Sequence, residues 1–150
     1  MVEVNELTEY DRDFYKWTQE TAELICRGEF DRIQREHLAE EIADMGKRDK
    51  REVRSRMTVL MMHLLKWRAQ PELCEQSSWR ATIVEQRRQL ELVFRDSPSL
   101  YRVAGEELRA AYGDAVEDAM AETRLAAETF PGECPYSLDE LLKMDLSSLE

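Results

Sequence analysis

The chain has 150 residues, of which 43% are hydrophobic and 35% charged, and its net charge is −11 at pH 7. This length and composition are typical of one soluble globular domain, which we expect to cover residues 1–150. Residues 1–9 are acidic and polar, unlike a signal peptide, and the longest apolar run, residues 59–62, is far below the roughly 18 residues of a membrane span. Cys26, Cys74 and Cys134 form no CxxC pair, which favours neither a disulfide framework nor a zinc site and indicates the reducing cytosol, a cytoplasmic location.

The first predicted element is an amphipathic helix over residues 9–27. Its apolar positions step by three or four residues, which places them on one face of a helix. Gly28 follows where a left-handed C-terminal cap is expected. The residues of that face are Tyr10, Phe14, Trp17, Thr21 and Leu24.

The second and third elements form one stretch over residues 31–70. Asp31 is a reasonable N-cap for the second, whose narrow apolar stripe consists of Ile33, Leu38, Ile42 and Met45. Gly46 falls inside the helical pattern, and because Gly costs roughly 1 kcal/mol in a helix interior, we expect a bend between two nearly continuous helices. The third element ends near Ala69, before Pro71. Its core stripe consists of Val53, Met57, Leu60, Leu64 and Trp67.

Three further helices follow. The fourth covers residues 79–95, and the fifth begins at Ser97 and Pro98 and continues to about residue 127, with an alanine-rich face that lets a neighbouring helix approach closely. Ser137 and Glu140 form a capping-box pattern for a short terminal helix over residues 138–144. No alternating run indicates a strand. The sequence therefore predicts an all-α fold, an antiparallel bundle of four to five main helices plus a short C-terminal helix.

These elements carry motifs that occur together, and in the same order, in a known family. They are YDRDFYKW, LAEEI, HLLKW, QPE, SSWRATIVEQR, DSPSL and FPGECPYSLDELL, at residues 10–17, 38–42, 63–67, 70–72, 77–87, 96–100 and 130–142. The chain resembles the bacterial domain-of-unknown-function family numbered 29 over nearly its whole length. The resemblance implies an all-helical, small soluble protein and carries no catalytic or binding residue. One departure is His37, where the family pattern implies Asn or another polar residue.

One polar group on the second helix has a spacing that could suit a metal. His37, Glu40, Glu41 and Asp44 fall within one narrow arc of the helix. Di-iron bundles use Glu followed three residues later by His, whereas the order here is reversed and has no second copy. We therefore expect a solvated acidic face with no metal and no cofactor. Glu41, beside the apolar stripe, would then pair with one of four arginines, Arg51, Arg54, Arg80 or Arg87.

His63 is the most informative polar residue, because it lies on the apolar third helix between Leu60 and Trp67. Such a ring should be buried, neutral at pH 7 and hydrogen-bonded, with Glu41, Gln86 or Tyr112 as possible partners. A structural role is the simpler interpretation. Beside a carboxylate, however, His63 could act as a general base, and Glu41 and His63 are the weak catalytic candidates of the chain. His63 also joins the weak metal candidates.

Arg56 and Gln86 lie on otherwise apolar stripes and need partners if buried. Together with Glu41, Glu52 and His63, they suggest a buried polar network. Trp17, Trp67 and Trp79 read as core anchors, and Cys134 has no base near it in the sequence that would activate its thiol.

Residues 47–56 carry six basic and two acidic side chains in an otherwise acidic chain. The simpler interpretation is a solvated helix face with internal ion pairs, such as Glu52 with Arg56 four residues on. The alternative is a contact with phosphate or with an acidic partner. Nucleic acid could bind only through this segment, by Lys47, Arg48, Lys50, Arg51, Arg54 and Arg56.

No GxSxG, phosphate-binding loop or dinucleotide fingerprint occurs in the sequence. The strong apolar stripes, together with the adaptable Met57, Met61 and Met62, favour a protein-interaction module, with a protein partner or a homodimer as the expected assembly and no membrane association. The alternative is an enzyme, or a small-ligand or metal-binding protein, with its polar site around Glu41 and His63. Whether the chain is an enzyme is left open.

Overall fold

The structure, a computed structural model, describes residues 8–149. Its residues cluster into two compact units, the first ending at Gly46 and the second beginning at Lys47. All regular structure in the described part of the chain is helical, which confirms the all-α prediction. None of the described helices is long and apolar enough to cross a membrane.

In the first unit, residues 9–27 form two helices where the sequence predicts one. Helix α1 covers Glu9–Arg12 and helix α2 covers Phe14–Arg27. Asp13 separates them because its side chain accepts a hydrogen bond from the backbone N–H of Lys16, 3.1 Å away, and so caps the start of α2. Gly28 ends α2 with φ 73°, in the left-handed conformation expected of it.

The segment that follows α2 in the first unit, residues 29–46, also differs from the prediction. Asp31 does not cap a helix but lies inside a 3₁₀ turn, Phe30–Arg32, and helix α3 begins at Arg35. The predicted apolar stripe of this part of the chain is not core, because Ile42 and Met45 are exposed. The stripe is correctly placed on one helix face, but a stripe becomes core only where another element covers it.

Helix α3 runs from Arg35 to Ala69 and passes through Gly46 without a break. Its last part supplies the centre of the second unit. All five residues of the predicted core stripe are fully buried, as are Met61 and, nearly so, Leu65. The helix ends at Ala69, before Pro71, as the sequence predicts.

Three more helices complete the second unit. Helix α4 covers Trp79–Asp96, helix α5 covers Ser99–Thr123 and helix α6 covers Leu138–Lys143. Shorter 3₁₀ turns occur at Pro71–Gln76, Ala127–Thr129 and Leu146–Leu149. The N-cap of α5 is Pro98 rather than Ser97, and Arg124 ends this helix at Thr123, earlier than predicted. The Ser137 and Glu140 capping box of α6 is present.

The direction of these helices follows from their contacts. Lys50 pairs with Glu107, and Lys66 pairs with Glu122, so α3 and α5 run parallel. Helix α4 lies antiparallel to α3. Arg80, near the start of α4, stacks on Trp67 near the end of α3, whereas the later Gln86 accepts a hydrogen bond from the earlier Arg56. The core of the second unit is therefore an up-down-up arrangement of three helices, with α6 added.

Small residues let α5 approach α3 closely, as the alanine-rich face predicts. Ala104, Ala111, Ala115 and Ala119 are fully buried. The hydroxyl of Thr58 on α3 lies 3.4 Å from the backbone carbonyl of Ala111 on α5, a side chain-to-backbone contact that only a short interhelical distance allows.

Arg87 holds the C-terminal helix to α4. Its Nε donates to the carbonyl of Leu141 and its Nη1 to that of Met144, both at 2.9 Å. These are carbonyls at the C-terminal end of α6, which lack partners within the helix. The guanidinium therefore satisfies the end of α6, and its positive charge lies at the negative end of the helix dipole.

We expect Arg87→Met to destabilise the protein by about 1–3 kcal/mol, because two partly buried carbonyls lose their donors. Hydrogen exchange should rise in residues 138–149, and urea unfolding measures the loss. Arg88→Met is the matched control, since Arg88 lies on the same helix, is exposed and pairs with Glu85, three residues earlier. Equal effects of the two substitutions would contradict the capping role.

Candidate interaction surface and polar clusters

The first unit exposes an unusual amount of apolar surface. Between residues 8 and 46, six large hydrophobic side chains are 41% to 74% exposed. Among residues 8–46, only Trp17 and Thr21 are buried. Single exposed apolar residues are ordinary in proteins, whereas a large contiguous apolar patch is a common feature of interaction sites. The six are Phe14, Tyr15, Ile25, Phe30, Ile42 and Met45.

Helix α2 divides its surface sharply between charged and uncharged sides. Its four charged residues fall on one arc, where Lys16 pairs with Glu9 at 3.1 Å and Arg27 pairs with Glu23. Trp17 and Thr21 point to a second, buried side. The remaining arc carries no charge at all, which we call the α2 uncharged face. It consists of Phe14, Tyr15, Thr18, Gln19, Ala22, Ile25 and Cys26.

The polar residues of the first unit form a cluster around Tyr10. The Tyr10 hydroxyl donates a 2.6 Å hydrogen bond to Glu41, and its ring stacks on His37 with centroids 4.1 Å apart. The hydrogen bond to the Glu41 carboxylate raises the pKa of Tyr10 to about 12, with burial and nearby acidic side chains adding to the effect. Glu41 therefore bonds a tyrosine, where the sequence predicted an arginine.

His63 lies half-buried in the second unit and does not bond any of its three predicted partners. Its Nδ1 lies 2.8 Å from the backbone carbonyl of Val59, one turn earlier. Burial lowers the pKa of His63, so the ring is neutral at pH 7 as predicted. Glu41 and His63 belong to different units, and each makes its hydrogen bond inside its own unit.

Lys66, one turn from His63, is the most buried charged side chain near it, at 6% exposure. Its ammonium pairs with Glu122 on α5 and lies 5.0 Å from the centre of the Trp79 ring on α4. A buried ammonium needs such partners because its desolvation is costly. Sequence analysis missed this group, because a lysine in the last turn of a helix gives no sign of burial.

Only part of the predicted polar network is present among the described residues. Arg56 donates to Glu52 at 2.9 Å and to Gln86 at 3.3 Å, and so joins α3 to α4. His63 and Glu41 bond elsewhere. Tyr112 donates to the Pro131 carbonyl, which fixes the segment after α5.

The basic segment, residues 47–56, is extensively paired with carboxylates. Lys50 pairs with Glu107 at 3.2 Å, and Arg54 binds Asp114 at 2.8 Å and Glu107 at 3.6 Å. The predicted internal pair of Glu52 with Arg56 is present at 2.8 Å. These pairs set the basic surface of α3 against an acidic strip of α5, which lowers the positive potential available to phosphate.

The other groups that could bind a metal or act as a nucleophile, among the residues that the structure describes, give little sign of a site. Among residues 8–149, no three His, Cys, Asp or Glu side chains are grouped closely enough to hold a metal ion. Burial raises the pKa of the Cys134 thiol, which therefore stays protonated at neutral pH, in keeping with the expected low reactivity. The three cysteines are free thiols.

Two open grooves flank α5 in the second unit. One, of about 570 Å³, lies between Arg51 and Arg54 on α3 and Asp114 and Asp118 on α5. The other, of about 830 Å³, lies between α5 and residues 127–134 and includes Tyr112 and Cys134. Both are open to solvent and lined by side chains of opposite charge, so neither presents a convergent set of polar groups of the kind that fixes a small ligand.

Sequence comparison places this architecture in a family. Residues 9–147 match a family model described as a domain of unknown function, DUF29, and the chain belongs to that family. No curated protein matches the sequence. No solved structure matches it either.

The lowered pKa of His63 predicts a pH dependence. Between that pKa and the ordinary value of 6.5, the unfolded chain binds more protons than the folded one, so stability falls as pH drops below 6.5. We expect His63→Gln to flatten this dependence. NMR should show a His63 titration midpoint below 6.5, which is readily assigned because the chain has two histidines and His37→Gln removes the other. A midpoint at or above 6.5 would contradict the burial of this ring.

Proposed function

We propose that this member of the DUF29 family is a protein-interaction module in which the first unit supplies the binding surface. The observation that carries the proposal is the concentration of exposed large hydrophobic side chains on residues 14–45, in a unit that buries few residues of its own. Water contact with so much apolar surface is unfavourable by about 25 cal/mol for each Å². Covering it with a partner therefore provides a driving force for association.

The composition of the surface supports a protein partner. The cores of protein interfaces are depleted in charge and enriched in aromatic residues and Met. The α2 uncharged face has this composition in a chain that is 35% charged. Tyr15 is 74% exposed, and Tyr is one of the residue types enriched among the anchors of such contacts.

The second unit has the character of a scaffold. Its helices enclose a filled apolar core, and the charges of α3 are paired with those of α5. A rigid scaffold of this kind can hold an interaction surface without taking part in chemistry. The free cysteines agree with a reducing compartment, so we place the interaction in the cytoplasm.

The alternatives from sequence have weaker support. A ligand or metal site that uses Glu41 and His63 would need both, and each already has a hydrogen-bond partner within its own unit. Nucleic-acid binding through residues 47–56 would have to compete with the carboxylates of Glu107 and Asp114. Both remain hypotheses of lower rank.

The test replaces Tyr15 with the photo-crosslinking residue p-benzoylphenylalanine, which keeps the aromatic ring. In native lysate, illumination should yield a discrete covalent adduct with a protein, because the ring at position 15 is buried against the partner. The adduct should disappear when Ile25→Glu is added, since Ile25 lies on the same uncharged face and a carboxylate would be buried there.

The matched control places the same residue at Val84, which is 54% exposed on α4 of the second unit. An adduct at position 15 that is several-fold stronger than the signal at position 84 supports the proposal. Equal labelling at the two positions, or no adduct at either, refutes it.

A further inference from the structure

We infer that the partner of the α2 uncharged face is a second copy of this chain, with the two α2 helices packed antiparallel about a two-fold axis near residue 20. The inference rests on the proposed function and names its partner. Three observations carry it: the spacing of the residues on the face, the order of their sizes, and the placement of charge around them.

The first observation is the spacing. Tyr15, Thr18, Ala22 and Ile25 recur at intervals of three, four and three residues, the pattern of the two core positions in a coiled coil. The stripe spans about one and a half turns on either side of its centre, and its four residues are exposed or partly exposed. A helix with a coiled-coil seam on its outer side is suited to pack against another helix.

The second observation is the order of sizes. Along the seam the side chains read large, small, small, large, and the sequence of sizes is the same from either end. Such a face is self-complementary about a two-fold axis. In the antiparallel arrangement, Tyr15 of one copy meets Ile25 of the partner copy and Thr18 meets Ala22, so each layer joins two different residues. The small central pair lets the helices approach closely.

The third observation is charge. Residues beside the seam, Phe14, Gln19 and Cys26, are all uncharged, so no carboxylate or ammonium is buried when the faces meet. The charged side chains Lys16, Glu20, Glu23 and Arg27 lie on the opposite side of the helix, away from the seam. The antiparallel direction also sets the positive end of one helix dipole beside the negative end of the other.

The size of the face limits the strength of the dimer. Aromatic side chains bury about 150–250 Å² each when fully covered, so the exposed parts of this face amount to roughly 400–500 Å² per copy. The total of about 1,000 Å² is at the low end of specific interfaces. We therefore expect a reversible dimer with a Kd of about 10–100 µM.

Sedimentation equilibrium on the purified full chain tests the assembly. We expect a monomer–dimer equilibrium in wild-type protein. In Ala22→Glu protein, the dimer dissociation constant should be at least about tenfold higher. Ala22 is exposed and Glu is a good helix former, so the substitution should leave the circular dichroism and the urea midpoint unchanged. Ala110→Glu, at an exposed alanine of α5, is the matched control and should dimerise like wild type.

Disulfide crosslinking tests the relative orientation of the two α2 helices, with all variants made in a Cys26→Ala background. The Cys26→Ala protein alone is the control for crosslinks formed by Cys74 and Cys134. An equimolar mixture of Thr18→Cys and Ala22→Cys proteins should form a mixed disulfide between the two variants on mild oxidation. Ala22→Cys protein alone should not. Efficient self-crosslinking of Ala22→Cys protein would show a parallel pair and overturn the antiparallel arrangement.

The failure of this inference differs from that of the proposed function. If wild-type protein stays monomeric at concentrations up to about 300 µM, self-association is overturned. This limit is about threefold above the weakest expected Kd. A dimer unaffected by Ala22→Glu would overturn the use of this face. In both cases the Tyr15 photo-adduct decides the proposed function separately, because an adduct of a mass other than twice the chain would identify a different protein on the face.

Discussion

The structure depends on the burial of one helix segment, the last part of α3 from Met57 to Trp67. Its side chains are covered on nearly all sides, and each large apolar one contributes about 1.5–3 kcal/mol relative to exposure to water. A segment that is apolar all round requires neighbours on every side. Helices α4, α5 and α6 supply them, since residues of all three belong to the same apolar core.

Polar contacts then fix how these helices fit around the central segment. The alanines of α5 allow a close approach, and the pairs of Lys50, Arg54 and Lys66 with acidic residues of α5 set its register against α3. Most of these pairs are partly exposed, so each adds little stability, but together they favour one alignment. Arg87 joins the last helix to α4 through carbonyls rather than through charge.

The first unit is organised differently. Its polar contacts, such as Tyr10 with Glu41, and its charged pairs along α2 are satisfied locally, whereas much of its apolar surface is not covered. In the first unit the charged side chains of α2 are paired, whereas large apolar side chains are in contact with water, which is the unfavourable term that a partner could remove. This contrast with the filled core of the second unit is the basis of the proposal that the first unit carries the interaction surface.

The sequence by itself determined the helical elements, most of their ends and the core of the second unit. Periodicity, Gly28, Pro71 and the Ser137 capping box act over a few residues, so they can be read without the fold. Only the tertiary structure decided what covers each stripe. Ile42 and Met45 have the same spacing as buried residues and yet are exposed, and His63 bonds Val59 rather than a distant side chain. Lys66 is buried for the same reason, because burial depends on neighbours that are far away in the sequence and that no local pattern specifies.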